Sequence, residues 1–509
     1  MIKGNQSNLP VIIISGASGF IGRYFLEFLR NKYFIYALAR RSQKAADIPN
    51  HKNINWIRVD IANEPEIKRV ILDISNNGGA DYFLHLAGFF DFHNLHHPEY
   101  RRTNVQGMKY ILEVCDNLKL KRFIFSSSLA ILDFSNPSRI INEDSLADAT
   151  YPYAVTKREG EEMLKEFSSF FPCTIIRLAA MFSDWCEHKP LYSLLSTWLS
   201  PNWDHRILGG KGESAIPYLH IYDLINMFKR IIAMTEQLPN YHILNASPGY
   251  SVSHKELFKI ACKYNYFRPV KAIYTKKWFA TFGVILKNIM GTAFGKRPFE
   301  RLWMMKYIDK KLIVDSTHTR TLLNWEPVKR YNIKRRLLFM IAKMKSNPHD
   351  WHYRNAMRPS YAITERQYIK IYETMLKLKE QIIRDIHKQL IDKHNSDRLS
   401  HYQAMPVEAR AHCVEYIFKI LEMDIRTGDR SHILEYAEHL AEHRFLEKFP
   451  LKEVLAAISL TSDTITRALM SQPELRDMRQ RIFDEIMLSF QLMKDEIEDT
   501  YMYLSSNNK

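Results

Sequence analysis

Two residues four apart, Tyr153 and Lys157, have the types and the spacing for proton chemistry. On a helix, positions i and i+4 share a face, so the lysine ammonium is expected beside the phenol. A nearby positive charge favours phenolate and draws the tyrosine pKa down from its ordinary ~10. Such a phenol suits general acid/base work on an alcohol–ketone interconversion. A second stretch, Val11–Gly22, reads VIIISGASGFIG. Its four β-branched residues predict a strand buried on both faces, and Ile21, Phe25, Phe28 and Leu29 predict a helix after it. Between them Gly16-x-x-Gly19-x-x-Gly22, with Ser18, Phe20 and Ile21, forms a turn that suits a phosphate cradle. Glycine admits close backbone approach, and a helix N-terminus offers free N–H groups.

The elements needed to position these groups follow in order. Strands are expected at Tyr33–Ala39, Trp56–Val59, Arg122–Phe125 and Cys173–Leu178. Strands alternating with helical patterns over residues 9–183 imply a parallel sheet covered on both faces. About 20 residues beyond such glycines, a carboxylate selects NAD and an arginine accommodates the 2′-phosphate of NADP. This chain has Arg40 and Arg41 there and no carboxylate before Asp47, so NADP is expected, with NAD the alternative.

The glycine spacing and the Y-x-x-x-K pair resemble the extended short-chain dehydrogenase/reductases, the NAD-dependent epimerase/dehydratase family, over about residues 9–345. That resemblance implies further roles. Asp60, followed by Ile61, stands where the family places an aspartate against the adenine amine. Leu86-Ala87-Gly88 matches the small-residue strand end that lies against the cofactor, and Ser126 belongs to the triple serine at the end of strand five. Ser128 would hydrogen-bond the substrate oxygen, although the family's V-Y-G run is replaced by Ile131-Leu132-Asp133. Asn104 would support Lys157 through a water, and Lys157 would also hold the cofactor ribose. Arg177 matches an arginine frequent in the family. Where sugar-nucleotide enzymes grip phosphate with an arginine, the chain has Ile216, and Leu129-Ala130 replace the Asp-Glu of dehydratases.

Composition bounds the remainder. The 509 residues suggest two or three domains. Met1–Asn8 is polar and does not read as a signal peptide, and no apolar run reaches the roughly 18 residues of a span. The five scattered cysteines lack metal spacing and read as reduced cytosolic thiols. Residues 251–345 hold 22 basic residues against 5 acidic, a concentration that marks a functional face or a junction. Within it, residues 276–311 carry a nearly continuous apolar stretch from Trp278 to Met290 between Lys276-Lys277 and Lys296-Arg297. One reading is a buried lid over an apolar substrate pocket; the other is an in-plane helix touching a membrane surface. His93, His96 and His97, and the i, i+4 pair His439 and His443, read as solvated or packing residues, and no metal is expected.

After an expected linker at 346–362, residues 363–509 read as all-α. Helical patterns run over 363–394, 406–425, 431–447, 450–471 and 474–503. Through Ile425-Arg-Thr-Gly428-Asp429, His439-Leu440-Ala441 and Leu451-x-x-Val454-Leu455-x-Ala457, about residues 375–505 loosely resemble the globin-like helical sensor domains of bacterial stress-response regulators, and a dimerisation module is the plainer alternative. The fold class is therefore α/β, a Rossmann-type parallel sheet (core about 9–183) with a small substrate lobe (about 184–345), followed by an all-α bundle. The function expected is an NAD(P)-dependent oxidoreductase acting on an apolar or lipid-like small molecule. Epimerisation of a sugar or similar substrate is the alternative. A non-catalytic dinucleotide sensor is the second, against which the Tyr153/Lys157 pair argues. A cytoplasmic homodimer is expected, with peripheral membrane contact through 276–311 and no nucleic-acid partner.

Overall fold

The computed structural model describes residues 9–91, 97–136, 139–202, 204–281, 283–285, 301–356, 368–427 and 430–507. It divides into two compact units, Met1–Arg335 and Arg336–Lys509.

The main elements of the first unit are β1 (Val11–Ser15), α1 (Phe20–Leu29), β2 (Phe34–Ala39), β3 (Ile54–Arg58), α2 (Glu64–Asn76), β4 (Tyr82–His85), α3 (Gly107–Cys115), β5 (Arg122–Ser128) and α4 (Pro152–Phe167). There follow β6 (Cys173–Leu178), β7 (Ala180–Phe182), α5 (Lys189–Trp198), β8 (Ile207–Gly209), β9 (Tyr218–His220), α6 (Ile221–Ala233), β10 (Tyr241–Ala246), α7 (His254–Tyr266) and β11 (Ile273–Thr275). Seven strands form one sheet in the order β10-β6-β5-β4-β1-β2-β3, and every pairing in it is parallel. The β-branched run of β1 explains why it lies at the centre. Ile12 and Ile14 enter one core layer with Phe25, Leu26 and Phe228, while Ile13 enters the other with Tyr36, Phe83 and Met108. Only a strand apolar at every position can bury both faces. Strand order reverses between β1 and β4, so the crevice for a ligand opens beyond their carboxyl ends.

Three sequence expectations need correction. The chain does not leave the sheet for good after Leu178. It returns as β10, which pairs with β6 from Tyr241↔Cys173 to Ala246↔Leu178. Leu244 and Ala246 are fully buried there. The stretch 346–362 is not all linker, because Pro348–Ala356 is helical. Pro348 starts that helix, where the missing N–H is no loss. The first unit ends at Arg335 rather than near 345, with the division falling inside helix Ile333–Ser346.

Part of the segment 276–311 lies outside the described residues, namely Phe282 and 286–300. Residues 277–281 and 283–285 are helical. Trp278 and Phe279 are exposed, whereas Val284 is buried. The second unit is helical throughout its described elements. Its core joins residues from Ile371 to Tyr501. The pattern over 363–394 resolves into two helices, Tyr368–Lys377 and Lys379–Leu390, with Leu378 at ψ 0° flattening the turn between them. Helices Val407–Thr427, Ser431–Leu446, Leu451–Met470 and Arg479–Asn507 follow. Among the described residues no helix is long and apolar enough to cross a membrane.

Candidate active site

The glycine turn is packed too closely for side chains at Gly16 and Gly22. Gly16 has φ +74°, and a Cβ on it would lie 2.7 Å from the Ala87 backbone nitrogen. A Cβ on Gly22 would lie 2.5 Å from the Gly16 carbonyl oxygen. Both contacts are with backbone, so neither could relax cheaply. The Gly19 N–H donates to the Gly16 carbonyl at 2.9 Å and fixes the turn. No side chain caps α1, whose first residues are Phe20, Ile21 and Gly22. Its terminal N–H groups and partial positive charge therefore point at an anion site beside the Ser18 backbone.

The rim of the cradle is polar. Arg40 and Arg41 follow β2 and are exposed. Arg40 meets Glu99 at 3.5 Å, and the Arg41 guanidinium reaches the Ser18 carbonyl at 3.4 Å. Neither contact is tight. Asp60 follows β3. It accepts from the Ala62 N–H at 3.0 Å and pairs with Arg102 at 2.9 Å. Ile61 is buried under Gly107 at the start of α3. Leu86, Ala87 and Gly88 continue β4, and the Leu86 N–H donates to the Ser15 carbonyl at 3.1 Å.

Tyr153 and Lys157 lie on α4 facing the carboxyl ends of β4 and β5. The Lys157 ammonium donates to the Ser126 carbonyl at 2.7 Å and lies 6.0 Å from the Tyr153 ring centroid. Burial lowers its pKa to about 8, with Glu161 opposing. The electrostatics differ from the expectation drawn from spacing. Tyr153 is pushed up to about 12 by burial, and a hydrogen bond with Ser128 offsets only part of that. The lysine points at a backbone carbonyl rather than at the phenol, so desolvation decides the sign. Ser128 accepts from the Ala130 N–H at 3.2 Å, and the Ser126 hydroxyl donates to the His85 carbonyl at 3.0 Å.

Asn104 lies in a π-helical segment, Tyr100–Gln106, that leads into α3. Such wide turns are frequent at functional sites. Its amide donates to the Phe89 carbonyl at 3.0 Å and to Thr156 at 3.0 Å, and its Oδ1 accepts from the Phe89 N–H at 2.6 Å. In this structure Asn104 therefore clamps the chain after β4 to α4. A Cβ built on Gly88 would lie 3.4 Å from the Lys157 ammonium and 3.5 Å from Asn104 Oδ1, so all three meet at one point.

Several groups around this centre escaped the sequence reading. The Tyr153 ring packs on Phe90, centroids 4.4 Å apart. Tyr151 donates to the Ala130 carbonyl and lies beside Trp303, while Phe134 stacks on Tyr307. An aromatic wall thus stands next to the phenol. Glu161 is fully engaged below it. It pairs with Arg177 at 2.8 Å and accepts from Ser127 at 2.5 Å, tying α4 to β5 and β6. The signal for Glu161 was present, because it lies four residues after Lys157 on the same face. His85 is another. Burial, aided by the Lys157 charge, lowers it to about 3, and its Nδ1 lies 2.8 Å from Ser15 Oγ.

On the substrate side, Ile216 lies in a short strand paired with Val252–Ser253. The Gly210–Glu213 turn gives its Lys211 and Glu213 N–H groups to the Asp309 carboxylate at 2.9 and 3.1 Å. His93 and His96 lie outside the described residues. His97 stacks on Phe89. His439 and His443 are exposed beside Glu442 and Glu447 of their own helix. No cluster of three metal-ligating side chains occurs among the described residues.

Residues 12–247 match the profile described as the NAD dependent epimerase/dehydratase family. A dTDP-D-glucose 4,6-dehydratase of Dictyostelium discoideum is 26% identical over 268 residues, 49% of this chain and 60% of its own length. A sterol-4-alpha-carboxylate 3-dehydrogenase, decarboxylating, of Candida albicans is 27% identical over 163 residues, 30% of this chain and 43% of its own. The chain thus spans less than two thirds of these relatives. In fold, the crystal structure of UDP-glucose 4-epimerase from Thermotoga maritima with UDP-glucose matches with a TM-score of 0.51 at 20% identity, covering 67% of this chain and all of that one. With its glycine turn at the β1/β4 switch point and its Tyr153–Lys157 helix, this chain is similar, through residues 12–247, to the NAD dependent epimerase/dehydratase family.

Proposed function

We propose that the first unit is an NADP-dependent oxidoreductase that interconverts a secondary alcohol and a ketone on an apolar or lipid-like substrate. The observation that carries the reading is the convergence of Tyr153, Ser128 and Lys157 at the carboxyl ends of the strands, beside the glycine turn and the uncapped N-terminus of α1. The residues present fit a dinucleotide. Gly16 and Gly22 let the turn pack tightly against the backbone of Ala87 and Ala17, and the uncapped α1 at its end supplies N–H groups for a phosphate. When bound, the dinucleotide supplies the hydride donor or acceptor at C4 of its nicotinamide ring and, when oxidised, a positive charge.

The chain's own residues then handle the proton. Tyr153, neutral at working pH, gives its phenolic proton to the substrate oxygen as a ketone becomes an alcohol. Ser128 orients that oxygen with its hydroxyl. Lys157, anchored on the Ser126 carbonyl, sets the local charge and lies where a ribose would be held. In the oxidation direction the phenol must first lose its proton, and each added positive charge in the site makes that easier.

The substrate class rests on three features. Ile216 carries no charge. The nearby turn spends its N–H groups on Asp309 rather than leaving them for a ligand phosphate. The wall of Tyr151, Trp303, Tyr307 and Phe134 is aromatic. For NADP, Arg40 and Arg41 are exposed and only loosely held. A second reading, epimerisation or dehydration of a nucleotide sugar, is favoured by the dehydratase relative. Fluorescence titration with NAD and NADP, then turnover on a panel of apolar alcohols, ketones and nucleotide sugars, separates the two. Reaction of nucleotide sugars alone would sink the apolar reading.

A further inference from the structure

We infer that the strip Phe267–Phe279 is a docking face for an anionic lipid surface. It holds Arg268, Lys271, Lys276 and Lys277, and no acidic residue. All four cations are exposed, and among the described residues none is ion-paired. Between and beside them Ile273, Tyr274, Trp278 and Phe279 are 47, 51, 62 and 54% exposed. Large apolar side chains gathered among cations are a surface that water alone does not favour. The Trp278 and Phe279 rings stack on each other, centroids 3.5 Å apart, so the pair presents one aromatic block.

The strip is held from behind rather than hanging free. β11 pairs along its length with β8, from Ile273↔Ile207 to Thr275↔Gly209. The following helical turn packs Ala280 onto Gly209, where a Cβ would lie 3.8 Å from the alanine methyl. The nearest carboxylates are already engaged. Glu213 pairs with Lys255 at 2.9 Å, and Asp309 is wrapped by the Gly210–Glu213 turn. Among the described residues, these two carboxylates therefore do not neutralise the positive field of the strip. Lysines meet lipid headgroups while tryptophan and phenylalanine enter the interface below them. Among polyanions, a lipid surface is favoured because Ile273 and the self-stacked rings offer apolar area rather than open planes for bases.

Position gives the face a use. Ile308 approaches the same Gly209 as Ala280, so the strip adjoins the segment whose Trp303 and Tyr307 wall the catalytic face. An apolar substrate dissolved in the bilayer would meet the protein on the side where that wall stands. The docking itself does not depend on what the substrate is.

The test is co-sedimentation of the full chain with vesicles of phosphatidylcholine alone and of phosphatidylcholine mixed with phosphatidylglycerol. The protein is expected to pellet with the anionic vesicles at low salt and to be largely released at about 1 M, where the Debye length is ~3 Å. Each cation near the surface is worth up to about five-fold in partitioning, so K276E/K277E should lower the bound fraction more than roughly ten-fold. W278A/F279A should weaken binding and abolish the blue shift of tryptophan emission. Dinucleotide binding by both variants shows that they fold. Wild type left in the supernatant with anionic vesicles at low salt overturns the proposal, as does K276E/K277E binding like wild type. Displacement from the vesicles by a single-stranded RNA homopolymer that uses the same residues assigns the face to nucleic acid and also overturns it. A panel in which no apolar substrate reacts leaves these results untouched.

Discussion

Both units bury charged and titratable groups, and the candidate site of the first differs from the buried ion pairs of the second. In the helical unit, Arg430 spends its whole guanidinium. It pairs with Glu485 at 2.5 Å and donates to Ser489 at 2.9 Å and to Ser346 at 2.7 Å. Glu453 accepts from the His401 and Tyr402 N–H groups at 2.6 and 3.1 Å and meets the His401 ring at 2.7 Å. At the candidate site of the first unit, by contrast, Lys157 has one backbone carbonyl, Tyr153 has one serine, and the Nε2 of His85 has no protein partner. Saturated pairs hold helices together. Sparsely partnered groups, gathered at the carboxyl ends of parallel strands, keep hydrogen-bonding capacity for something that binds. Burial alone does not mark a site; unsatisfied buried groups gathered beside a ligand-binding crevice point to one.

The broadest way to sharpen this contrast is acid. Burial is the first cause lowering His85 to about 3 and His188, His242 and His254 to about 4. In the unfolded chain these imidazoles titrate near ~6.5. As pH falls from there towards 4, the unfolded state takes up protons that the folded state refuses, so stability is lost with falling pH. The summed loss is on the order of a domain's whole stability. Circular dichroism and tryptophan emission followed against pH should show the first unit unfolding before the helical unit. A single transition shared by both would break the contrast.

Next is Tyr153→Phe. Turnover should fall by ~100- to 10,000-fold while dinucleotide affinity stays within roughly a few-fold, since the phenol moves a proton rather than holding the ligand. A variant that keeps near-full rate removes Tyr153 from the mechanism. On the helical side, Arg430→Ala leaves Glu485 buried without its partner and should cost about 3–5 kcal/mol in urea unfolding of that unit. Dinucleotide binding should not change. Replacing both, as Arg430→Met with Glu485→Leu, should recover most of the loss, and failure to recover would mean that the pair does more than staple helices. The smallest effect concerns the cradle's rim. Arg40→Ala with Arg41→Ala should erase a preference for NADP worth about 1.5–3 kcal/mol, read as a ten- to hundred-fold change in relative affinity. Tighter binding of NAD by the wild type would refute that preference at once.

What the sequence alone determined was local and periodic. The apolar run Val11–Ile14, the glycines at 16, 19 and 22, and the i, i+4 pair Tyr153/Lys157 carry their own geometry, because strand, tight turn and helix each have a fixed repeat. They put the glycine turn after the first strand and the tyrosine–lysine pair on a helix, as the structure has them. The tertiary structure decided what depends on distant partners. β10 is a short run whose place beside β6 is set by the open edge of the sheet. Asp309 reaches the Gly210–Glu213 turn across 98 residues of chain. Glu161, Arg177 and Ser127 form one buried cluster from three elements. The pKa of Tyr153 shows the division most plainly. Spacing put a cation on the same helical face, but only the packed interior fixed where that cation points and how much water the phenol loses, and desolvation outweighed the spacing.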